Sequence, residues 1–454
     1  MLGIIVTVIL IVALFVGLKK GLNTATWVLS LSVIGLLAYT LVNGTSVAGT
    51  SSGSNFFDIF ELLKETIVSK FGSMLVIICA VFGYVGYMDK IGANKAFAVA
   101  CAKPLMKVKN TYVLLGGTIL LMCVLMFAIP APTALVMLLF ATIVPIMVEV
   151  GITKNAIASV IVMGTCIAFG PMNGQTIVTM GALGVTEPDI TTFAFKYQLP
   201  IFLVMLASLC VTVAISNKFW DKKENVAKGQ LETDSSAIQG AAPGYYAILA
   251  ILPLILVIVF SSFVTKSISI SVVAAEFASF FIAIIIDTIA RKKTLKQSFD
   301  ETKEFYAGMG KCIAVMGMLP IAGTLFATTL TLWGGLATVV NGLLNLGVGF
   351  VGMVIIVALL EIAICFITGD SIGTIMLVLP LVLAVLQNTT GSVLACVYVI
   401  AQFACLGSAL SFIYPPTLVL SGLCDVPAAS IVKRNILPTA VAGLIVLVGS
   451  LLFL

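Results

Sequence analysis

Apolar runs of about 17 or more residues recur along the whole chain, for example at 2–18, 26–42, 245–260 and 435–454. Each approaches the length a helix needs to cross a ~30 Å hydrocarbon core. Inside lipid every backbone N–H and C=O must be bonded within the protein, and long uninterrupted runs meet that demand as helices. Composition agrees, with 61% hydrophobic and 9% charged residues, against roughly 25% charged in a soluble domain. A soluble fold is excluded, and an all-α polytopic membrane protein is predicted.

Other classes drop out on chemistry. The net charge of +5 arises from 24 basic and 19 acidic residues gathered in short loops, so no nucleic-acid partner is expected. Ten cysteines lie scattered in apolar segments, Cys79, Cys123 and Cys365 among them, and the chain has no histidine. With no CxxC pair this predicts free thiols, no metal site and no cofactor. The first run has no basic residue before it and ends at Lys19-Lys20, which reads as a retained membrane helix rather than a cleaved leader.

One long polar stretch, 217–240, reads as a linker between two halves, 1–216 and 241–454. Each half runs in the same order: two apolar helices, an amphipathic segment (55–70 and 296–307), another apolar helix, then stretches broken by Gly, Pro and Thr. This is an internal repeat. Placing helix ends by lysine and arginine bias leaves only Lys64, Lys70, Lys196 and Lys266 on the minority side, so 20 of the 24 basic residues share the other. By the positive-inside rule the linker is cytoplasmic and both termini lie outside. Five crossings per half follow, about ten in all, and an odd number makes the repeats inverted, as in many secondary transporters. On this topology 111–150 and 347–388 are re-entrant hairpins, and 155–182 and 392–421 are broken helices.

Breaks inside lipid expose backbone groups at several kcal/mol apiece, so they persist where protein, ions or cargo bond them. The first tip, Ile129 to Thr133, places Pro132 and Thr133 at a helix start with free N–H groups suited to an anion. The second tip supplies Thr368, Ser371 and Thr374 for substrate, with Gly369 and Asp370 suited to a coupling cation. Facing them, Pro171, Asn173, Gly174 and Thr176 in one unwound turn and Ser411, Pro416 and Thr417 in the other are substrate candidates. Gln175 and Ser408 join the coupling-ion set. Glu361 is the other intramembrane acid of interest, whereas Glu149 and Asp287 sit near the inside boundary. The bland readings are that Pro and Gly kink ordinary membrane helices and that Asp370 caps a helix for about 1 kcal/mol. No Lys or Arg falls at the four breaks, so an anion would rely on helix N-termini, hydroxyls and symported cations.

The segments YMDKIGANKAFAVACAKPLMKVKNTYVLL (87–115) and MLLFATIVPIMVEVGI (137–152) resemble the DcuC family of anaerobic C4-dicarboxylate carriers. FAFKYQLPI (193–201), the region at 244–255 and SIVKRNILP (430–438) are similar in order and spacing. The resemblance implies the wider ion transporter superfamily: homodimers with a fixed scaffold and a mobile domain whose hairpins move like an elevator. It implies transport of succinate, fumarate or malate with H⁺ or Na⁺, or by exchange, in the bacterial inner membrane. The chain departs from the family pattern at Pro130 to Thr133, at Gln175 and at Gly369-Asp370-Ser371. An amino-acid or other organic-acid carrier, with an ammonium pairing to Asp370, and a cation/H⁺ antiporter are the alternatives. An enzyme is not expected.

Overall fold

The computed structural model describes residues 2–454 except 21, 106, 107, 109, 130, 184–186, 225–241, 261–267, 269, 335–337, 339–341, 343–348 and 387–391. Among the described residues the chain is helical throughout, with no strand. Helices α1 (Leu2–Lys19), α2 (Thr24–Asn43) and α3 (Asn55–Lys70) come first, and α3 passes through a π-helical turn at Phe71–Leu75 into α4 (Val76–Ile91) and α5 (Ala93–Ala102). Next are α6 (Thr111–Ala128), α7 (Pro132–Thr142), α8 (Val144–Glu149), α9 (Lys154–Thr165), α10 (Gly174–Ala182), α11 (Glu187–Phe193) and α12 (Leu199–Glu224). The later part holds α13 (Ala247–Val259), α14 (Val272–Ala290), α15 (Leu295–Glu301), α16 (Lys303–Cys312), another π turn at Ile313–Gly317 like the one at Ala194–Gln198 before α12, and α17 (Met318–Leu332). It ends with α18 (Phe350–Thr368), α19 (Ser371–Leu386), α20 (Val393–Ser408), α21 (Pro415–Cys424) and α22 (Ala428–Phe453).

Helices α2, α14, α18 and α22 and the segment Ile190–Glu224 are each long and apolar enough to cross a membrane. The pair α4 and α5 forms a sixth such unit, bent by 81°. The bend falls at Gly92, whose φ of +78° is open to glycine without strain. Around it the Asn94 amide donates to Asp89 at 2.6 Å, and the Arg291 guanidinium donates to the Ile91 carbonyl at 2.6 Å. Other apolar helices are only 10–17 residues long, α17, α20 and α21 among them. The outer faces are apolar, as for Leu41, Ile289 and Leu452, a surface suited to lipid contact rather than water.

Lipid tails are as apolar as leucine, so close backbone approach rather than water exclusion holds such helices together. The crossing of α4 with α16 shows this: a Cβ added at Gly308 would lie 2.4 Å from the Phe82 carbonyl oxygen. The short helix before it also differs from expectation. The amphipathic segment 296–307 divides at Thr302 into α15 and α16, and a Thr294–Gln297 capping box starts the first piece.

The linker boundary moves as well. Residues 217–224 continue α12, because their polar side chains recur on one helix face and have a partner in the protein. Fully buried Arg434 on α22 donates to Asn217 at 3.0 Å and pairs with Asp221 at 2.7 Å and Glu224 at 2.8 Å. Lys433 also pairs with Glu224, and the Ser216 hydroxyl donates to the Arg434 carbonyl at 2.6 Å. Removing one member of a buried ion pair strands the others. Arg434→Met is therefore expected to cost about 3 kcal/mol, read as a lower unfolding temperature in detergent. Adding Asp221→Asn and Glu224→Gln to that variant should recover part of the loss.

Candidate functional site

Four interruptions shape the interior. Helices α6 and α7 are separated at 129–131, α18 and α19 at Gly369-Asp370, α9 and α10 at Cys166–Asn173, and α20 and α21 at Ala409–Tyr414. Two of these breaks sit differently from the sequence reading. Gly174, Gln175 and Thr176 already form the first turn of α10, because the Asn173 side chain accepts the Gln175 and Thr176 amides at 3.1 and 3.3 Å. Pro416 and Thr417 likewise belong to the first turn of α21, where proline at the helix start needs no N–H partner. Ser408 is the last residue of α20, while Pro171 and Ser411 lie within the breaks. Pro130 lies outside the described residues.

Much of the exposed backbone is bonded by the protein itself. Gln198 accepts the Gly170 amide at 3.4 Å and donates to the Thr176 hydroxyl at 3.5 Å. Gln402, in the middle of α20, donates to the Ala168 carbonyl at 2.5 Å. At the other break the Asn435 amide donates to the Ala409 carbonyl at 3.3 Å and the Ser159 hydroxyl donates to Asn435 at 2.7 Å. Tyr414 donates to Thr165 at 3.2 Å, tying the two broken helices together. Sequence reasoning passed over these five partners. Gln198, Gln402 and Asn435 could have been found as amides embedded in apolar runs, where an unbonded polar group is expensive.

The interruptions cross between the two parts of the chain: α10 packs on α19 and α20, while α21 packs on α7 and α9. Gln175 donates to the Ser371 hydroxyl at 3.2 Å. Gly369, at φ +66°, comes so close to the second break that a Cβ there would be 2.9 Å from the Tyr414 nitrogen. Ser411 donates to the Phe366 carbonyl at 2.9 Å and Thr368 meets Thr374 at 3.2 Å, so the second tip is braced on both sides.

A cavity of about 250 Å³ opens at that tip, lined by Thr368, Asp370, Gly373 and Thr374 together with Asn23, Thr24 and Ala25. Leu319, Ile364 and Leu377 complete its wall. Asp370 caps α19, accepting the Gly373 amide at 3.1 Å, and Asn23 caps α2, accepting the Thr26 amide at 3.0 Å. Two helix N-termini, each carrying roughly half a positive charge, thus converge on one polar cavity. The bland capping role of Asp370 is present, and the same residue lines the cavity. Pro132 and Thr133 are not there: they start α7, which packs against α21. Asn173, Gly174, Gln175, Thr176, Pro416 and Thr417 also lie off this wall, as does Ser371, to which Gln175 donates. The contribution of α2 was not legible, because Asn23 and Thr24 sit more than 300 residues from the tip they face.

Lipid-facing helices, interrupted helices crossing in the core and a polar cavity at one interruption define a multi-pass membrane transporter. Two solved transporters share the fold at 14% identity each. The Alcanivorax borkumensis YdaH transporter has a TM-score of 0.61 over 94% of this chain and 96% of its own. Neisseria gonorrhoeae MtrF, described among antimetabolite efflux pumps, has a TM-score of 0.55 over 94% of each chain. The chain belongs to the DcuC family, whose model, C4-dicarboxylate anaerobic carrier, matches residues 2–454. The anaerobic C4-dicarboxylate transporter DcuC of Escherichia coli K12 is 26% identical over 98% of this chain and 96% of its own. A probable one from Vibrio cholerae is 24% identical over 99% and 97%. These relatives are named as transporters, and this protein is a transporter and not an enzyme.

Gly369→Ala tests the tip. The substitution imposes a left-handed backbone on a Cβ and drives it into Tyr414, at a cost of about 1–3 kcal/mol. The expected outcome is a lower unfolding temperature together with loss of substrate-induced thermal stabilisation.

Proposed function

We propose that this protein is a secondary active carrier of small organic anions, C4-dicarboxylates such as succinate, fumarate and malate foremost, moved with H⁺ or Na⁺ or by exchange. The observation that carries this reading is the convergence of the α2 and α19 N-termini on the Asp370 cavity. Among the described residues no Lys or Arg lines that cavity, so the helix dipoles and the Thr24, Thr368 and Thr374 hydroxyls supply the favourable end for a carboxylate. The names of the relatives supply the substrate class. Asp370 beside a dianion is repulsive unless a cation or proton shares the site, which is the physical reason to expect coupling. Gly369, Gln175 and Ser408 join Asp370 in the proposed coupling-ion set, Gln175 through its bond to Ser371 and Ser408 through its bond to Cys365.

The reading extends to topology and assembly. About ten crossings form two inverted repeats, 1–216 and 241–454, with re-entrant hairpins at 111–150 and 347–388 and broken helices at 155–182 and 392–421. The polar connection between the repeats is cytoplasmic, both termini are outside, and the protein is a homodimer of the bacterial inner membrane. A scaffold holds still while the hairpins and broken helices carry the substrate in an elevator motion. Thr133 and Asn173 stand at the matching elements of the first repeat. The acid at the cavity favours one second reading, an amino acid whose ammonium pairs with Asp370.

Uptake of labelled succinate into proteoliposomes decides among these. Uptake is expected to collapse when the H⁺ or Na⁺ gradient is removed and to be competed by unlabelled fumarate and malate. Competition by amino acids instead would transfer the assignment to the second reading. Asp370→Asn should lower gradient-driven accumulation by about tenfold, equivalent to roughly 1.4 kcal/mol, with an unchanged unfolding temperature. Wild-type accumulation in that variant would remove Asp370 from the mechanism.

A further inference from the structure

Glu361 lies inside α18, seven residues before the helix ends at Thr368. Its side chain is completely buried, and neither carboxyl oxygen has a hydrogen-bond partner. Among the described residues no positive charge faces it. The ionisable groups within its reach are the thiols of Cys365 on its own helix and of Cys396 and Cys405 on α20. Helix α19, packed alongside, has no ionisable residue between Ser371 and Leu386. Helix α1 contributes apolar turns up to Lys19 at its end, and on α22 Lys433 and Arg434 are engaged with Glu224 and Asp221. An acid buried without a partner inside a membrane helix is costly to keep, and such residues mark proton and ion pathways.

The cavity is close by. Ile364 and Thr368, on the same helix, line it. Cys365 stands one turn from Glu361 on the same helix face. Its thiol donates to the Asp370 carbonyl at 3.6 Å and accepts from the Ser408 hydroxyl at 3.8 Å. Cys365 therefore touches the backbone of the tip on one side and stands one turn from the buried acid on the other, with no hydrogen bond between the thiol and the Glu361 carboxyl. Glu276, another buried acid with an unpartnered oxygen, faces Tyr84 from α14 and lines no part of this cavity.

We propose that Glu361 is a proton-binding site, filled from the Asp370 cavity past Cys365 and Ser408, and that the proton it carries is the one that travels with the substrate. The proton enters from the cavity onto a carboxylate oxygen, the neutral acid crosses with the mobile helices, and the proton leaves by the same route once the cavity faces the other compartment. The inference rests on the carrier reading above and specifies its coupling ion.

Two measurements on the full-length protein test it. In proteoliposomes holding a pH-sensitive dye, wild type is expected to move protons when succinate is added, and E361Q to lose that movement. E361D, which keeps a titratable group one methylene shorter, should restore it with a displaced pH profile. Independently of any substrate, the infrared difference between wild type and E361Q at neutral pH should contain the carbonyl band of one protonated carboxylic acid. If E361Q does not fold, E361D serves in its place, and the band should shift. Proton movement in E361Q at the wild-type rate, an unmoved pH profile in E361D, or no band in the difference would overturn the assignment. Succinate transport by wild type without protons would overturn it while leaving the substrate reading intact. The band without succinate transport would support the site and defeat the substrate reading.

Discussion

Main-chain polar groups cannot be left unbonded in hydrocarbon, and the interior of this protein is arranged around that demand. Among the described residues helices stop at four places where the two parts of the chain meet, and each stop leaves amides and carbonyls without helical partners. Gln198 and Gln402 bond one break from helices outside it, and Asn435 does the same for the other. Asp370 and Asn23 take up amides at two helix starts. Thr24, Thr368, Asp370 and Thr374 put further polarity on the wall of the cavity.

An anion carrier faces a contradiction between recognition and transit. A lysine or arginine in the cavity would bind a carboxylate well but would then have to cross the membrane charged. On the carrier reading proposed above, the dipoles of α2 and α19 attract an anion without placing a formal positive charge in the cavity. Formal charges are kept in ion pairs away from the cavity: Arg434 with Asp221 and Glu224, and Asp287 with Lys293 and Arg291. The same contrast sets the acids apart. Asp287 is held by cations and by Tyr246 at 2.7 Å, while Glu361 has none and sits beside the cavity.

Helix packing follows from the solvent. Where lipid offers no hydrophobic drive, backbones approach until only glycine fits, as at Gly308 against Phe82 and Gly323 against the Met376 carbonyl. The second contact places α17 directly on α19, the helix that starts at the cavity, with no side chain between them. Pro380, one turn beyond Met376, cannot donate to that carbonyl, so the point of closest approach is also a point of freed backbone.

Read alone, the amino-acid order determined that this is a helical membrane protein with four interruptions, because run length and the positions of Pro and Gly are local properties. It also marked Asp370, Thr368 and Thr374, since polar residues at a break have few other reasons to be there. It placed the breaks a few residues off, at Gly174 and Pro416, because an Asn or Pro at the boundary restarts a helix that composition alone reads as unwound. It read 217–224 as linker, because a polar helix face looks like loop until its partner, Arg434, is known. Only the tertiary structure decided that α2 supplies the far wall of the cavity, that the first tip packs against α21 instead, and that glutamines bond the breaks. Those facts are contacts between residues tens to hundreds of positions apart, and no local pattern encodes which distant segment arrives to satisfy a given backbone group.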